Sequence, residues 1–108
     1  MSKSLINLRK GGKMFINKTT SGNNNICGRN VARLRKAKKL SQNQLASMLQ
    51  ILGLNVDKNA VQRIEAGKRF VTDIELVYLS DALGVALHEL LDRSELTVAH
   101  ENIPSQNT

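Results

Sequence analysis

The chain has 108 residues, enough for one compact domain with short tails and too few for a second domain of ordinary size. It carries a formal net charge of +7 and only three aromatic residues, two Phe and one Tyr. Leu, Ile, Val and Ala are plentiful, and this composition favours helical packing over a β-sandwich or barrel. We therefore predict an all-α fold with one core. A single Cys27 excludes an intrachain disulfide, and His88 and His100 beside it make no metal-ligand set, so we expect no metal and no cofactor.

The charge is distributed unevenly along the chain. Residues 1–56 contain eleven Lys or Arg and no Asp or Glu, whereas residues 70–108 contain one basic and seven acidic residues. The positive end would attract a polyanion, and nucleic acid is favoured over an anionic membrane because no basic stretch also has a broad apolar face. No apolar run approaches the ~20 residues of a membrane span and no signal peptide is apparent, so we expect a cytoplasmic protein.

Residues 1–25 are polar and interrupted by glycines and by three consecutive asparagines, which predicts a flexible basic N-terminal arm. Two interpretations of residues 1–13 stay open. The codons for Lys10-Gly11-Gly12-Lys13 would resemble a ribosome-binding site just before Met14, and a start there would remove four basic residues and lower the net charge to +3. Alternatively, these residues form an arm that touches the DNA backbone.

Two helices are predicted in the next segment. In the first, over residues 28–39, Val31 and Leu34 recur at helical spacing among basic residues. The second begins at Ser41, whose side chain can cap the amide of Gln44 while the Gln44 side chain reaches back, the arrangement called a capping box. Its buried stripe is predicted to contain Leu45, Met48, Leu49 and Leu52.

The third predicted helix extends from Asp57 to Gly67. Asp57 can accept an amide of the first turn, and Gly67 tolerates a left-handed backbone at the end. Val61 and Ile64 share one face, which is expected to pack on the core. The opposite face carries donors of the kind that pair with guanine and adenine edges in a major groove, namely Lys58, Asn59, Gln62 and Arg63. An ordinary solvated helix face is the alternative interpretation.

After the third helix, Phe70 and Val71 are expected to fill the core between elements. Thr72 with Glu75 repeats the capping-box pattern and opens a fourth helix, whose core residues are predicted to be Leu76, Leu79, Ala82 and Leu83. A fifth, short helix presents an apolar face of Leu87, Leu90 and Leu91. Residues 93–108 are predicted to be a polar C-terminal tail.

Four separated motifs follow one another along residues 28–91. They are Arg35 with Leu40-Ser41-Gln42, then Leu45-Ala46, then the run from Arg63 to Arg69, and last Ala82-Leu83-Gly84-Val85 with Leu90. In this order they resemble the helix-turn-helix domain of phage Cro and cI repressors and of the bacterial regulators similar to them. The resemblance implies a compact five-helix bundle of the lambda-repressor-like type over residues 26–92.

The resemblance also implies a role for each matching residue. Lys58, Asn59 and Arg63 would face bases, with Gln62 close enough to join them. The residues implied to hold phosphates are Ser41 and Gln42 at the amino end of helix 2, and Lys68 and Arg69 beyond helix 3. A helix amino terminus offers free amides to an anion, and loop cations add affinity without reading sequence, which agrees with this division.

Arg35 and Glu65 are implied to form a buried ion pair between helices 1 and 3. We favour this architectural role for Glu65 over base reading, because an unpaired carboxylate would be repelled by phosphates. One spacing departs from the family. Glu65 follows Leu45 by twenty residues, more than usual, so helix 2 is a turn longer or the following turn is looser. The approach of helix 3, and the choice among Lys58, Asn59 and Gln62, depend on this difference.

The sequence thus predicts a sequence-specific regulator of transcription, a repressor that occupies a promoter on double-stranded DNA. Useful affinity would require a homodimer, through Leu87, Leu90 and Leu91 together with Leu96 and Val98, unless these leucines simply close the monomer's core. The alternative function is an antitoxin that binds a partner toxin and represses its own operon. An enzyme is disfavoured, because no His, Cys or carboxylate pair has the spacing of a nucleophile and its base.

Overall fold

The fold is built from four α-helices and two short 3₁₀-helices in the residues that a computed structural model of the chain describes, 18–19 and 21–96. The α-helices are α1 (Gly28–Ala37), α2 (Gln42–Leu52), α3 (Lys58–Glu65) and α4 (Asp73–Leu83), and the 3₁₀-helices are Leu87–Leu90 and Arg93–Leu96. These residues contain no strand, so the all-α class is confirmed. Residues 1–17 and 20 of the predicted arm and the tail beyond 96, Val98 included, lie outside the described residues, as does the Leu96 side chain.

Helices α2 and α4 begin at the two predicted capping boxes. The N–H of Gln44 donates to the Ser41 hydroxyl (2.9 Å) and the N–H of Ser41 donates to Oε1 of Gln44 (2.7 Å). The N–H of Glu75 donates to the Thr72 hydroxyl (3.1 Å), and the N–H of Thr72 donates to Oε1 of Glu75 (3.0 Å). Both predicted helix starts are confirmed, because each box satisfies amides that a first helical turn leaves without an intrahelical acceptor.

The predicted fifth helix is wrong in type. Leu87–Leu90 is a single 3₁₀ turn, in which the N–H of Glu89 donates to the carbonyl of Ala86 (3.0 Å) and that of Leu91 to His88 (3.2 Å). Such i to i+3 bonding is typical of short terminal pieces. The first residues of the predicted polar tail form the second 3₁₀-helix, and the side chain of Asp92 accepts from the N–H of Ser94 (3.1 Å) at its start.

The core lies among the four α-helices and the first 3₁₀-helix, and α1 packs on α3. Its largest fully buried side chains are Leu45, Leu49, Ile64, Leu79, Leu83, Leu90, Val31 and Val61. Two predicted core residues are outside it. Leu52 is 45% exposed because it ends α2 at the edge of the core, and Phe70 is 58% exposed while its neighbour Val71 packs against the core instead. Within the described residues, no helix has the length and apolar character needed to span a membrane.

Candidate nucleic-acid interface

Helix α3 has one buried face and one exposed polar face. It starts at Asp57, whose Oδ1 accepts the N–H of Ala60 (2.8 Å). Val61 and Ile64 are fully buried and attach the helix to the core. The exposed face carries the four predicted base-contacting residues, Lys58, Asn59, Gln62 and Arg63. The helical period therefore places the packing residues and the long polar donors on different faces, as the sequence predicted.

A buried ion pair joins α1 to α3. Nε of Arg35 donates to Oε2 of Glu65 (2.6 Å), and Nη2 donates to Oε1 (3.0 Å). Nη1 of Arg35 also donates to the carbonyl of Leu40 (2.7 Å). The two side chains are only 10% and 7% exposed, and the hydrogen bond to Glu65 raises the pKa of the Arg35 guanidinium. The one carboxylate of α3 is thus directed away from the exposed face and paired.

The amino end of α2 enters the same junction. Nε2 of Gln42 donates to Oε1 of Glu65 (3.0 Å), so this side chain binds the ion pair. Ser41 is exposed beside it. The first backbone amides of α2 have no intrahelical acceptor and carry the positive end of the helix dipole. The capping box uses the amides of Ser41 and Gln44, so the groups at this end that can still donate to an anion are the amides of Gln42 and Asn43 and the Ser41 hydroxyl, whereas the Gln42 side chain is held by Glu65.

The two predicted cations beyond α3 differ in their surroundings. Lys68 is exposed, whereas Arg69 forms a two-pronged ion pair with Glu75, its Nη1 and Nη2 each 3.1 Å from a carboxylate oxygen. This hydrogen bonding by Arg69, together with the backbone N–H of Thr72, lowers the pKa of the Glu75 carboxyl. Because both terminal nitrogens of Arg69 are bonded to Glu75, this side chain holds the loop against the start of α4.

The segment predicted as the end of a flexible arm is instead bonded to the end of α3. Nδ2 of Asn25 donates to the carbonyls of Ile64 (3.1 Å) and Arg69 (2.8 Å). The backbone N–H of Asn24 donates to the carbonyl of Gly67 (2.7 Å), and Nδ2 of Asn24 donates to that of Lys68 (3.0 Å). We call residues 23–25 the asparagine clasp. The predicted arm boundary at residue 25 is wrong, because these amide donors satisfy carbonyls at a helix end.

Two glycines permit this close approach. A Cβ at Gly28 would lie 2.1 Å from the carbonyl oxygen of Ile64, so only glycine allows α1 to begin directly against the end of α3. Gly67 has φ +76° and its Cβ position lies 2.7 Å from the Asn23 side chain. The left-handed backbone and the lack of space both require glycine at this turn.

Sequence patterns did not reveal the asparagine clasp, although one local signal was present. Oδ1 of Asn25 accepts the N–H of Gly28 (2.8 Å) at the start of α1, and asparagine side chains commonly bond a nearby backbone amide in turns. A local turn ahead of the first helix could therefore have been predicted from Asn25. Its bonds to Ile64 and Arg69 span 39 and 44 residues and have no local sequence signature.

Two shallow cavities flank the asparagine clasp, of about 280 and 260 Å³. The first is lined by asparagines and by apolar side chains, with Cys27 at its wall. Burial raises the pKa of the Cys27 thiol to about 11, so the thiol is protonated at neutral pH and is a poor nucleophile. The described residues hold no group of three His, Cys, Asp or Glu side chains that could bind a metal.

The predicted dimer residues divide between core and surface. Leu90 is fully buried, so it closes the monomer's core and cannot also contact a second copy. Leu87 and Leu91 remain 42% and 40% exposed, and the outer face of α4 adds exposed Ile74 and Val77. The prediction of Leu90 as a dimer contact is therefore wrong, while Leu87 and Leu91 are accessible.

Comparisons with known proteins agree with this architecture. A family model described as Helix-turn-helix matches residues 31–90, from α1 through the first 3₁₀-helix, and the chain therefore belongs to the Cro/cI-type helix-turn-helix family. Proteins of this family bind double-stranded DNA, and the protein is a DNA-binding transcriptional regulator.

Among solved structures, the chain is similar to the restriction-modification controller protein C.AhdI from Aeromonas hydrophila. The identity is 36% and the TM-score 0.52, over 59% of this chain and 89% of that chain. A comparison with curated protein sequences gave no match.

Proposed function

We propose that the protein is a sequence-specific repressor of transcription that inserts α3, with its cap Asp57 and its end at Ala66, into the major groove of double-stranded DNA. The observation that carries this proposal is the exposed face of α3. It presents long donors and no carboxylate, because Glu65 is held by Arg35 and Gln42. Donors of this kind can form paired hydrogen bonds with purine edges.

Base contacts and backbone contacts are made by different parts of this surface. Lys58, Asn59, Gln62 and Arg63 contact base edges. Ser41 and the first amides of α2 hold one phosphate, and Lys68 holds another beyond α3. The roles of Gln42 and Arg69 change from phosphate contact to support, since both side chains are bonded within the protein. Contacts to phosphates fix the register of α3 and contacts to bases supply specificity.

A homodimer completes the proposal. One such unit buries little DNA surface, and two units would bind half-sites about 34 Å apart. Leu87 and Leu91, with Ile74 and Val77 on the adjacent α4, form the accessible apolar surface for a second copy. Light scattering of the free protein and of its DNA complex measures whether two chains bind each site.

The central test begins with selection of bound sites from a random duplex pool. Arg63→Ala should weaken binding to the selected site by ~1–3 kcal/mol and relax the preference at one base pair. Lys68→Ala should weaken all duplexes alike and reduce the salt slope by about one. Lys38→Ala is the control. It removes an exposed lysine that lies beside Gly84 at the end of α4 and is not among the proposed DNA contacts. Equal losses on selected and random duplexes for both test variants would refute the assignment.

The sign of regulation needs a separate measurement. In a reconstituted transcription assay, the protein should reduce transcript from a promoter that contains the selected site, and an increase would refute the repressor role. The similarity to a controller protein supports regulation of transcription. The antitoxin alternative predicts a small protein that co-purifies from the native host and whose toxicity this chain neutralises.

A further inference from the structure

We infer that Asn24 and Asn25 are positioning residues for DNA recognition. They hold residues 64–69, at the carboxyl end of α3 and in the loop after it. Base reading therefore depends on the segment that precedes α1. The inference rests on the proposed function, because it concerns how α3 and the loop after it are held for DNA. It assigns a role to a segment that precedes the residues matched by the family model, which begin at Val31.

Asn25 joins three elements through one side chain. Its Oδ1 accepts the N–H of Gly28 at the start of α1, and its Nδ2 donates both to Ile64 in α3 and to Arg69 in the following loop. The amide group supplies one acceptor oxygen and two N–H donors, so all three contacts can form together. A shift of the loop relative to α1 or α3 must break at least one of them.

Asn24 holds the residues between those two anchor points. Its backbone N–H and its Nδ2 donate to the carbonyls of Gly67 (2.7 Å) and Lys68 (3.0 Å). Its Oδ1 in turn accepts from Nζ of Lys18 (2.7 Å). The asparagine clasp thus bonds four backbone carbonyls between residues 64 and 69, directly beside Arg63 and Lys68.

This location matters because the segment contains both kinds of DNA contact. Arg63 is assigned to a base edge and Lys68 to a phosphate, and their separation is set by the backbone from 63 to 68. The clasp orders that backbone before DNA arrives, so less conformational freedom is lost on binding. Its donors are neutral amides, which satisfy the carbonyls without changing the charge of the interface.

The test uses Asn25→Ser. A serine hydroxyl can still accept from Gly28 as a cap does, but it is too short to bond both distant carbonyls, and the charge is unchanged. Asn30→Ala is the matched control. Its Nδ2 also donates to a backbone carbonyl of another element, that of Leu90 (3.4 Å), but this carbonyl lies outside residues 64–69. Each protein is measured on the selected duplex and on a scrambled one, over a range of salt concentrations and well below its melting midpoint.

We expect Asn25→Ser to reduce the ratio of affinities for the selected and scrambled duplexes by about tenfold. The salt slope should not change, because no phosphate contact is removed. Amide hydrogens of Gly67 and Lys68 should exchange faster in the free variant. Asn30→Ala should keep the wild-type ratio even if its melting midpoint falls.

Three results would overturn the inference: an unchanged ratio in Asn25→Ser, an equal loss in Asn30→Ala, or a loss accompanied by a smaller salt slope. If Asn25→Ser does not fold, Asn24→Ala replaces it, because it removes the side-chain bond to Lys68 and leaves the backbone bond to Gly67 in place. A wild-type chain that does not discriminate between the duplexes overturns the proposed function itself, and the inference with it. Discrimination by wild type that the folded clasp variant retains overturns only the inference.

Discussion

Removal of Arg35 is the most direct test of what holds α3 in place. In Arg35→Ala, the Glu65 carboxylate loses both charged hydrogen bonds, of 2.6 and 3.0 Å, while its side chain stays largely buried. The carbonyl of Leu40 loses its donor as well. Breaking a buried pair by removing one partner typically costs about 3–5 kcal/mol, because the remaining charge is left uncompensated.

The structure narrows that range. Gln42 still donates to Oε1 of Glu65 in the variant, so one carboxylate oxygen keeps a partner. We therefore expect a loss of about 3 kcal/mol in the free energy of unfolding, at the lower end of the range. Replacing both partners, as in Arg35→Met with Glu65→Met, should bring stability back to within about 1 kcal/mol of wild type. DNA affinity need not return with it.

Urea denaturation followed by circular dichroism measures these differences. Arg33→Ala is the matched control, because it also removes an arginine from α1. The Arg33 side chain is exposed and donates to Asn30 one turn earlier. It should change stability by no more than about 0.5 kcal/mol. A loss below about 1 kcal/mol in Arg35→Ala, or a double variant as unstable as the sum of its two single changes, would refute the buried-pair interpretation.

Two further predictions concern stability. Lys39 has φ +60° at the end of α1, where the N–H of Leu40 donates to the carbonyl of Arg35 (3.1 Å), so Lys39→Gly should raise the free energy of unfolding by about 0.5–1 kcal/mol in the same urea assay. A loss of stability would contradict the strain argument. The depressed pKa of Glu75 means that its ion pair stabilises the fold above the ordinary carboxyl value of 4.5, and this contribution disappears as pH falls through the lower folded value. Glu75→Gln should therefore be less stable than wild type by about 1 kcal/mol at pH 7, with a difference that shrinks below pH 4.5, and a pH-independent difference would contradict the charge-based explanation.

The features that sequence could predict were those set by residues close together in the chain. The capping pairs Ser41 with Gln44 and Thr72 with Glu75 act within one helical turn, so their spacing alone located the starts of α2 and α4. Helical periodicity likewise separated Val61 and Ile64 from the exposed donors of α3. Such patterns are reliable because both the cause and its effect lie within a few residues.

The features that sequence missed depend on what a residue meets across the fold. Leu52 continues the apolar stripe of α2 but lies past the edge of the core, and Phe70 has the apolar character of a core residue without the position of one. The polar run at 23–25 has the composition of a loop, yet its donors meet carbonyls about forty residues away. The composition of residues 23–25 shows that they carry hydrogen-bond donors. Which carbonyls those donors can reach is determined by the packing of α1 on α3, which the sequence does not show.

The twenty residues that separate Leu45 from Glu65 comprise the remainder of α2, a connection and α3 itself. Helix α2 continues to Leu52, and five residues, 53–57, connect it to α3. Nε2 of Gln50 donates to the carbonyl of Val56 (2.6 Å), which closes this connection at the carboxyl end of α2. The amino end of α2 is held separately, by the bond from Gln42 to Glu65.

The two ends of α3 are therefore held by different parts of the chain. Gln62 and Arg63 lie in the half of α3 fixed by the ion pair of Arg35 with Glu65 and by the asparagine clasp, neither of which involves the connection 53–57. Lys58 and Asn59 directly follow that connection, with Asp57 as their cap. A change in the length of the connection should consequently alter the base contacts proposed for Lys58 and Asn59 first, while the contacts proposed for Arg63 and Lys68 are retained.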